Sequence, residues 1–346
     1  MKINEFLVMA GIICAFCALC YAEFASMVPV SGSAYMYSYA TFGELIAWIL
    51  GWDLILEYGF AASMVASSWP GYFQGLLSGF GLNIPPALSS AFHPAGGTYI
   101  DLPAVLIVLL LTFIVSRGGK ESTRLNSIMP LGIIWSLVIC SLLYIIVTAV
   151  LTGIVPYTQL NVKNPVAYAL QAIHQDWVAG FISLGAIVGI TTVLFVLLFG
   201  QSRLLFAIGR DGLLPERLSR LNPKTEAPST SIWSTGIIVA LFPGLIPLNR
   251  LVDLVSIGTL FAFIAVLLGI IILRRTHPEL QRSFKVPLVP VIPLIAILSC
   301  GYLLISLPGI TWIAFMIWMV IGLSVYSLYG YKHSKLSGQT TVKKQK

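Results

Sequence analysis

RLNSIMPLGIIWSLVICSLLYIIVTAVLTGIV (residues 124–155) decides how this chain is read. Its first residue closes a polar run, SRGGKEST (116–123), that carries Arg117 and Lys120 ahead of Arg124. From Leu131 to Val155 there is no charged residue. An uncharged apolar run longer than about 18 residues is a membrane-spanning helix. Between the two lie a stub of apolar helix, LNSIM, and then Pro130. A helix tolerates proline in its first turn and not in its interior. A basic turn, a stub and a fresh start mark residues 124–135 as a break in the chain's plan.

The pattern repeats on either side of that break. Hydrophobic residues make up 58% of the 346 and charged residues 10%, against roughly a quarter charged in a soluble domain. Mean hydropathy is +0.92. The runs are continuous, not the short alternating segments of a membrane β-barrel. The fold class is therefore all-α and polytopic, with nine candidate spans: 6–22, 43–69 with a possible extension to 81, 99–116, 131–155, 178–208, 231–248, 251–273, 287–307 and 311–331. The first run has Lys2 ahead of it, as a signal peptide would. No small-residue cleavage site leads from it into a soluble domain, so it reads as a span.

Basic residues orient the spans, because Lys and Arg accumulate in cytoplasmic loops. The segments 117–126, 203–224, 274–285 and 332–346 hold 17 of the 20 Lys and Arg residues, leaving Lys2, Lys163 and Arg250 elsewhere. Those four segments are expected on the cytoplasmic side, the last as a cytoplasmic tail. The net charge of +7 is a topology signal. Spread over separate loops, it does not mark a nucleic-acid surface.

Phosphate-binding glycine loops, paired-histidine motifs and nucleophile elbows are missing from the sequence. No catalytic residue, metal ligand or cofactor is expected, and the chain is not read as an enzyme. Cys14-x-x-Cys17-x-x-Cys20 has the spacing of part of a metal or cluster site, but no fourth ligand stands near it. On a helix it is a stripe of small packing residues. His93, His174, His277 and His333 all read as loop residues.

Polar groups inside spans are costly and are the functional candidates. In GWDLILEY (51–58), Asp53 lies ten residues from Gly43, about 15 Å along a helix that rises about 1.5 Å per residue. That is near the midplane of a hydrocarbon core about 30 Å thick. Glu57 follows four residues on and shares the face. Two carboxylates at that spacing repel, so the pair calls for a proton or a cation. Asp53, Glu57 and the adjacent Tyr58 are candidates for a substrate- or proton-linked site, against a structural hydrogen-bonding pair. Thr191 and Thr192, mid-span with Gly185 and Gly189, are candidates for a polar substrate contact, against hydroxyls that bond back to their own helix. The stretch 21–44, which has no Lys or Arg and is broken by Pro29, reads as a short re-entrant turn with Glu23 near the surface.

YAEFASMVPVSGSAYMYSYATFGE (21–44), GWDLILEY, GQSRLLFAIGRDGLLP (200–215) and LRRTHPELQRSFKVPLVP (273–290) resemble the bacterial amino acid permeases of the amino acid–polyamine–organocation superfamily, in the branch of cationic-amino-acid-transporter type. The resemblance covers essentially the whole chain. It implies a five-plus-five inverted repeat followed by two helices, and secondary transport of amino acids, often driven by protons. It also implies that the chain starts inside helix 2 and passes at 124–135 from the start of helix 5 to the start of helix 7. Helix 1, most of helix 5 and helix 6 are then missing, and with them the two broken helices that hold the substrate in the family. The helix 5 lysine of proton-coupled relatives should follow NSIM, where PLGI stands instead.

On this reading residues 1–128 are what remains of the first repeat and 129–273 of the second, followed by two helices in 274–331 and a tail in 332–346. The expected partners are an amino acid and the lipid bilayer, with no nucleic acid, and the expected place is the cell membrane. The expected function is that of an amino acid permease whose chain, alone, does not transport. The alternatives are a non-transporting remnant or helix-associating protein and, resting on the cysteine stripe alone, a membrane-embedded redox or metal enzyme.

Overall fold

The computed structural model describes residues 3–27, 35, 43–79, 82–117, 129–160, 162, 164–225, 227–276, 278, 282 and 284–335. Among these residues, ten helices carry the fold: α1 (Ile3–Met27), α2 (Glu44–Gly79), α3 (Leu102–Ser116), α4 (Met129–Ile154), α5 (Pro165–Ala172), α6 (Asp176–Arg210), α7 (Ser229–Leu245), α8 (Leu248–Thr276), α9 (Val291–Ile305) and α10 (Gly309–Val325). The last continues through a π turn, Tyr326–Gly330, into Tyr331–His333, so His333 is helical and not in a loop. Each of the nine sequence spans coincides with a helix. Among the described residues, α2, α6, α8 and the continued α10 are long and apolar enough to cross a membrane, and five further apolar helices are shorter. The short α5 has no counterpart among the sequence spans.

Local chemistry sets several boundaries. Proline sits in the first turn of α3 and of α5, where its missing N–H is not needed. Asp101 caps α3 by accepting from the Ala104 N–H at 3.4 Å, so this helix starts at Leu102 and not at 99. Met129 and Pro130 open α4; Arg124–Ile128, the first part of the break, lie outside the described residues. α2 runs to Gly79 with Pro70 inside it. Before the proline, Ser63, Ser67 and Ser68 turn their hydroxyls onto the carbonyls of Gly59, Ser63 and Met64 at 2.7, 3.0 and 3.3 Å.

α2 is the axis of the bundle, packed against α3, α6, α7, α8 and α10. Its first half docks α10 through tryptophans. The Trp52 indole donates to the Trp318 carbonyl at 2.8 Å, and the Trp318 indole returns a bond to the Trp52 carbonyl at 3.0 Å. The rings stack with centroids 4.6 Å apart. Trp48 donates to the Gly322 carbonyl at 2.9 Å. Gly322 has no side chain because the Trp52 indole fills the place of a Cβ.

α1 extends through Met27, so residues 21–27 are helical and not a turn. Most of the remaining stretch to Gly43 lies outside the described residues. Tyr35 is buried there and donates to Asp211 at the end of α6 at 2.9 Å. Nearby, Glu44 accepts from Tyr326 at 2.9 Å and from Ser334, which ties the C-terminal segment to the start of α2.

Glu23 corrects the surface assignment: it is fully buried. Its carboxylate accepts from Arg274 Nε at 2.9 Å, Arg274 Nη2 at 2.6 Å and the Val286 N–H at 2.6 Å. Arg282 Nε stands 3.4 Å away. A paired arginine and carboxylate in fork geometry can be kept inside a protein where a lone charge cannot. This one anion joins α1, the end of α8 and the segment entering α9. Sequence reading missed it because the partners are 251 residues apart.

Replacing Glu23 with Gln keeps the side-chain shape but leaves the two guanidinium groups without their anion. Removing one member of a buried pair costs about 3–5 kcal/mol. The unfolding midpoint of Glu23→Gln in detergent is expected to fall accordingly; an unchanged midpoint would contradict this role.

Candidate functional site

Asp53 and Glu57 lie one turn apart on α2 and face α8. Asp53 is wholly buried, and neither of its carboxylate oxygens has a hydrogen-bond partner among the described residues. Glu57 accepts from the Thr259 hydroxyl at 3.0 Å. Gly258 makes the close approach possible. A Cβ at that position would stand 3.1 Å from Leu56 Cδ2 and 3.5 Å from both Asp53 Oδ1 and Glu57 Cβ. The carboxylates therefore rest against the α8 backbone. Tyr21 of α1, edge-on to Phe263 with centroids 5.5 Å apart, has Asp53, Glu57 and Tyr58 as electrostatic neighbours.

Tyr58 points the other way along α2, onto α6. Its ring occupies the space beside Gly200, where a Cβ would be 3.2 Å from Tyr58 Cε1. The next residue, Gln201, donates to the Ile55 carbonyl at 3.1 Å, and its own amide oxygen has no partner among the described residues. Unpartnered buried acceptors thus stand on both sides of this stretch of α2.

Thr191 and Thr192 are not part of that cluster. Thr191 donates to the Ile187 carbonyl at 2.6 Å and accepts from the Trp69 indole at 3.1 Å. Trp69 is twelve residues beyond Glu57, or about 18 Å along a helix. Thr192 donates to the Val188 carbonyl at 2.9 Å and is exposed. Both hydroxyls thus close onto their own helix. A cavity of about 610 Å³ opens on the far side of Trp69, between the outer half of α2 and the start of α3. It is lined by apolar side chains such as Phe73, Leu77, Leu106 and Leu110, and none of the five candidate residues borders it.

The three cysteines of α1 do not assemble a metal centre among the described residues, and all five cysteines of the chain are free thiols.

A family profile described as amino acid permease matches residues 5–131 and 128–326. The chain belongs to the amino acid permease family. The two matched stretches meet at Met129-Pro130, where the sequence plan breaks. The methylthioribose transporter of Bacillus subtilis is 43% identical over 396 positions, covering 95% of this chain and 86% of the relative. The branched-chain amino acid permease of the same organism is 42% identical over 399 positions with the same coverage. The vacuolar cationic amino acid transporter 4 of Arabidopsis thaliana is 30% identical, covering 78% of this chain and 57% of that protein. Both Bacillus alignments are longer than the 346 residues of this permease, so those relatives carry residues with no counterpart here. All three relatives are transporters, and with its apolar helices the permease is a membrane protein.

Sequence reading placed the carboxylate pair correctly on one helix face. It passed over Gly258, Thr259 and Gln201. The rule that selects Thr191, a hydroxyl in mid-span, applies equally to Thr259 in the run LVSIGTL (254–260). What separates the two is the neighbouring helix, which a single sequence does not display.

A buried polar group left without a partner costs about 1–3 kcal/mol. Asp53→Leu, a change of similar volume, is therefore expected to raise the detergent unfolding midpoint of the permease. A lowered midpoint would show that the carboxylate is held by a partner.

Proposed function

We propose that this chain is the scaffold of a secondary amino acid permease and that, alone, it does not accumulate substrate. One observation carries the reading: among the described residues, the carboxylates at membrane depth on α2 are met by a single hydroxyl and the glycine backbone of α8. An amino acid zwitterion entering hydrocarbon loses its hydration, and unpaired charge there costs far more than a transporter can tolerate. Its ammonium group would find Asp53 and Glu57. Its carboxylate needs donors, such as the free N–H groups of a broken helix. The resemblance assigns such donors to broken helices, of which helix 6 is the one skipped at residues 124–135. The family match in two stretches and the longer relatives support that assignment.

On this proposal Asp53 and Glu57 form the substrate- or proton-linked pair, with Tyr58 beside them, while Thr191 and Thr192 serve packing. The substrate class is amino acids. The relatives span a branched-chain permease, cationic transporters and a methylthioribose transporter, so the side-chain preference is not assigned. Residues up to 128 belong to the first repeat and 129–273 to the second, with 274–331 appended. The place is the cell membrane, with the tail beyond residue 331 in the cytoplasm.

Purified chain in proteoliposomes, given a proton gradient and labelled amino acids, is expected to show uptake no greater than empty vesicles. Saturable uptake abolished by an uncoupler would overturn the proposal. Topology has its own test. In a cysteine-free background, a cysteine placed at residue 163 is expected to react with an impermeant reagent from outside, and one at residue 220 from the cytoplasm. The reverse pattern would invert the orientation.

A further inference from the structure

Four of the five cysteines gather where α1 meets α9. Cys17 and Cys300 are both buried, at 1% and 0% exposure. Their sulfurs stand 3.8 Å apart, 283 residues apart in sequence. Cys14 and Cys20 flank them on α1, displaced by about 4.5 Å of helix rise on either side. The candidate transport site uses none of these thiols. We propose that Cys17 and Cys300 are an oxidisable dithiol that closes to a disulfide, tying α1 to α9, when a small uncharged oxidant of the peroxide class enters the bundle.

The position decides which reagents count. A peroxide can cross hydrocarbon as a neutral molecule, whereas protein oxidants and reductants cannot reach sulfurs buried this deeply. One thiol, as its thiolate, attacks a peroxide oxygen; the O–O bond breaks and a sulfenic acid forms while the other oxygen leaves as water. The second thiol then attacks that sulfur, the S–O bond breaks, and a second water leaves. Each sulfur has given up one electron, the peroxide has taken two, and both thiol protons end in water. An isolated buried thiol is inert. Here the capturing thiol already touches the sulfur that must be attacked. Closing from 3.8 Å to the bonded length of about 2.05 Å is a side-chain movement. Cys14 and Cys20 stand three residues away on either side of Cys17.

The link would add a covalent tie to a helix otherwise held at that end by Glu23 and apolar packing. Because protein reductants are excluded, the oxidised state would persist once formed.

The test uses the full chain in lipid vesicles treated with hydrogen peroxide, followed by alkylation of remaining thiols, digestion and mass spectrometry. The expected result is a Cys17–Cys300 linked peptide as the dominant cross-link, lost after treatment with dithiothreitol in denaturant. A triple variant, Cys14→Ser with Cys20→Ser and Cys140→Ser, is expected to lose both remaining thiols on oxidation. Adding Cys17→Ser should leave Cys300 alkylatable. The proposal fails if the wild-type chain yields no Cys17–Cys300 peptide. It fails equally if Cys14 or Cys20 links to Cys300 to the same extent. The wild-type mapping decides the matter even if a multiple variant does not fold.

Discussion

Hydrocarbon offers a polar group no partner, and the structure of this permease is organised around where its buried polar groups find one. Glu23 and Asp53 are the two extremes. Both are fully buried carboxylates. Glu23 collects two bonds from Arg274 and one from the Val286 N–H, and the cost of burying it is offset by joining three segments. Asp53 collects none among the described residues. The first arrangement closes a structure; the second leaves a group available to a proton or a ligand.

The tryptophans obey the same constraint with neutral groups. Indole N–H groups of Trp48, Trp52 and Trp318 each reach a helix carbonyl across the α2–α10 contact. A carbonyl inside a helix can accept a second bond only where a neighbour comes close, and Gly322 provides the approach. The serines near Pro70 and the two threonines of α6 donate locally, to carbonyls four residues back, although Ser63 and Thr191 also meet Val239 and Trp69. Locally closed groups pack helices; groups that need a distant partner set which helices meet.

The helices of the bundle are not equally enclosed. α2 packs closely against both α6 and α8. α4, which begins at the break, lies mainly against α1, and side chains such as Trp135, Ile139, Leu142 and Tyr144 are exposed. One side of the carboxylate pair is thus walled by the α2–α8 contact. This asymmetry is what the proposed loss of transport rests on.

Composition and run length were enough to place nine helices, because a span must bury its own backbone polar groups and so is written locally as an unbroken apolar run. The helix face shared by Asp53 and Glu57 was equally legible, since four residues make one turn whatever surrounds them. The break at Met129-Pro130 was visible as a proline where a helix should have continued. The partners were not legible. Arg274 for Glu23, Thr259 for Glu57, Trp69 for Thr191 and Cys300 for Cys17 are each more than a hundred residues distant. Nothing in the local pattern distinguishes a hydroxyl that meets a carboxylate from one that folds back on its helix. Sequence alone determined that this chain lies in a membrane as helices of a permease. Only the tertiary structure decided which buried charges are neutralised, because that depends on distances between helices and not on the spacing within one.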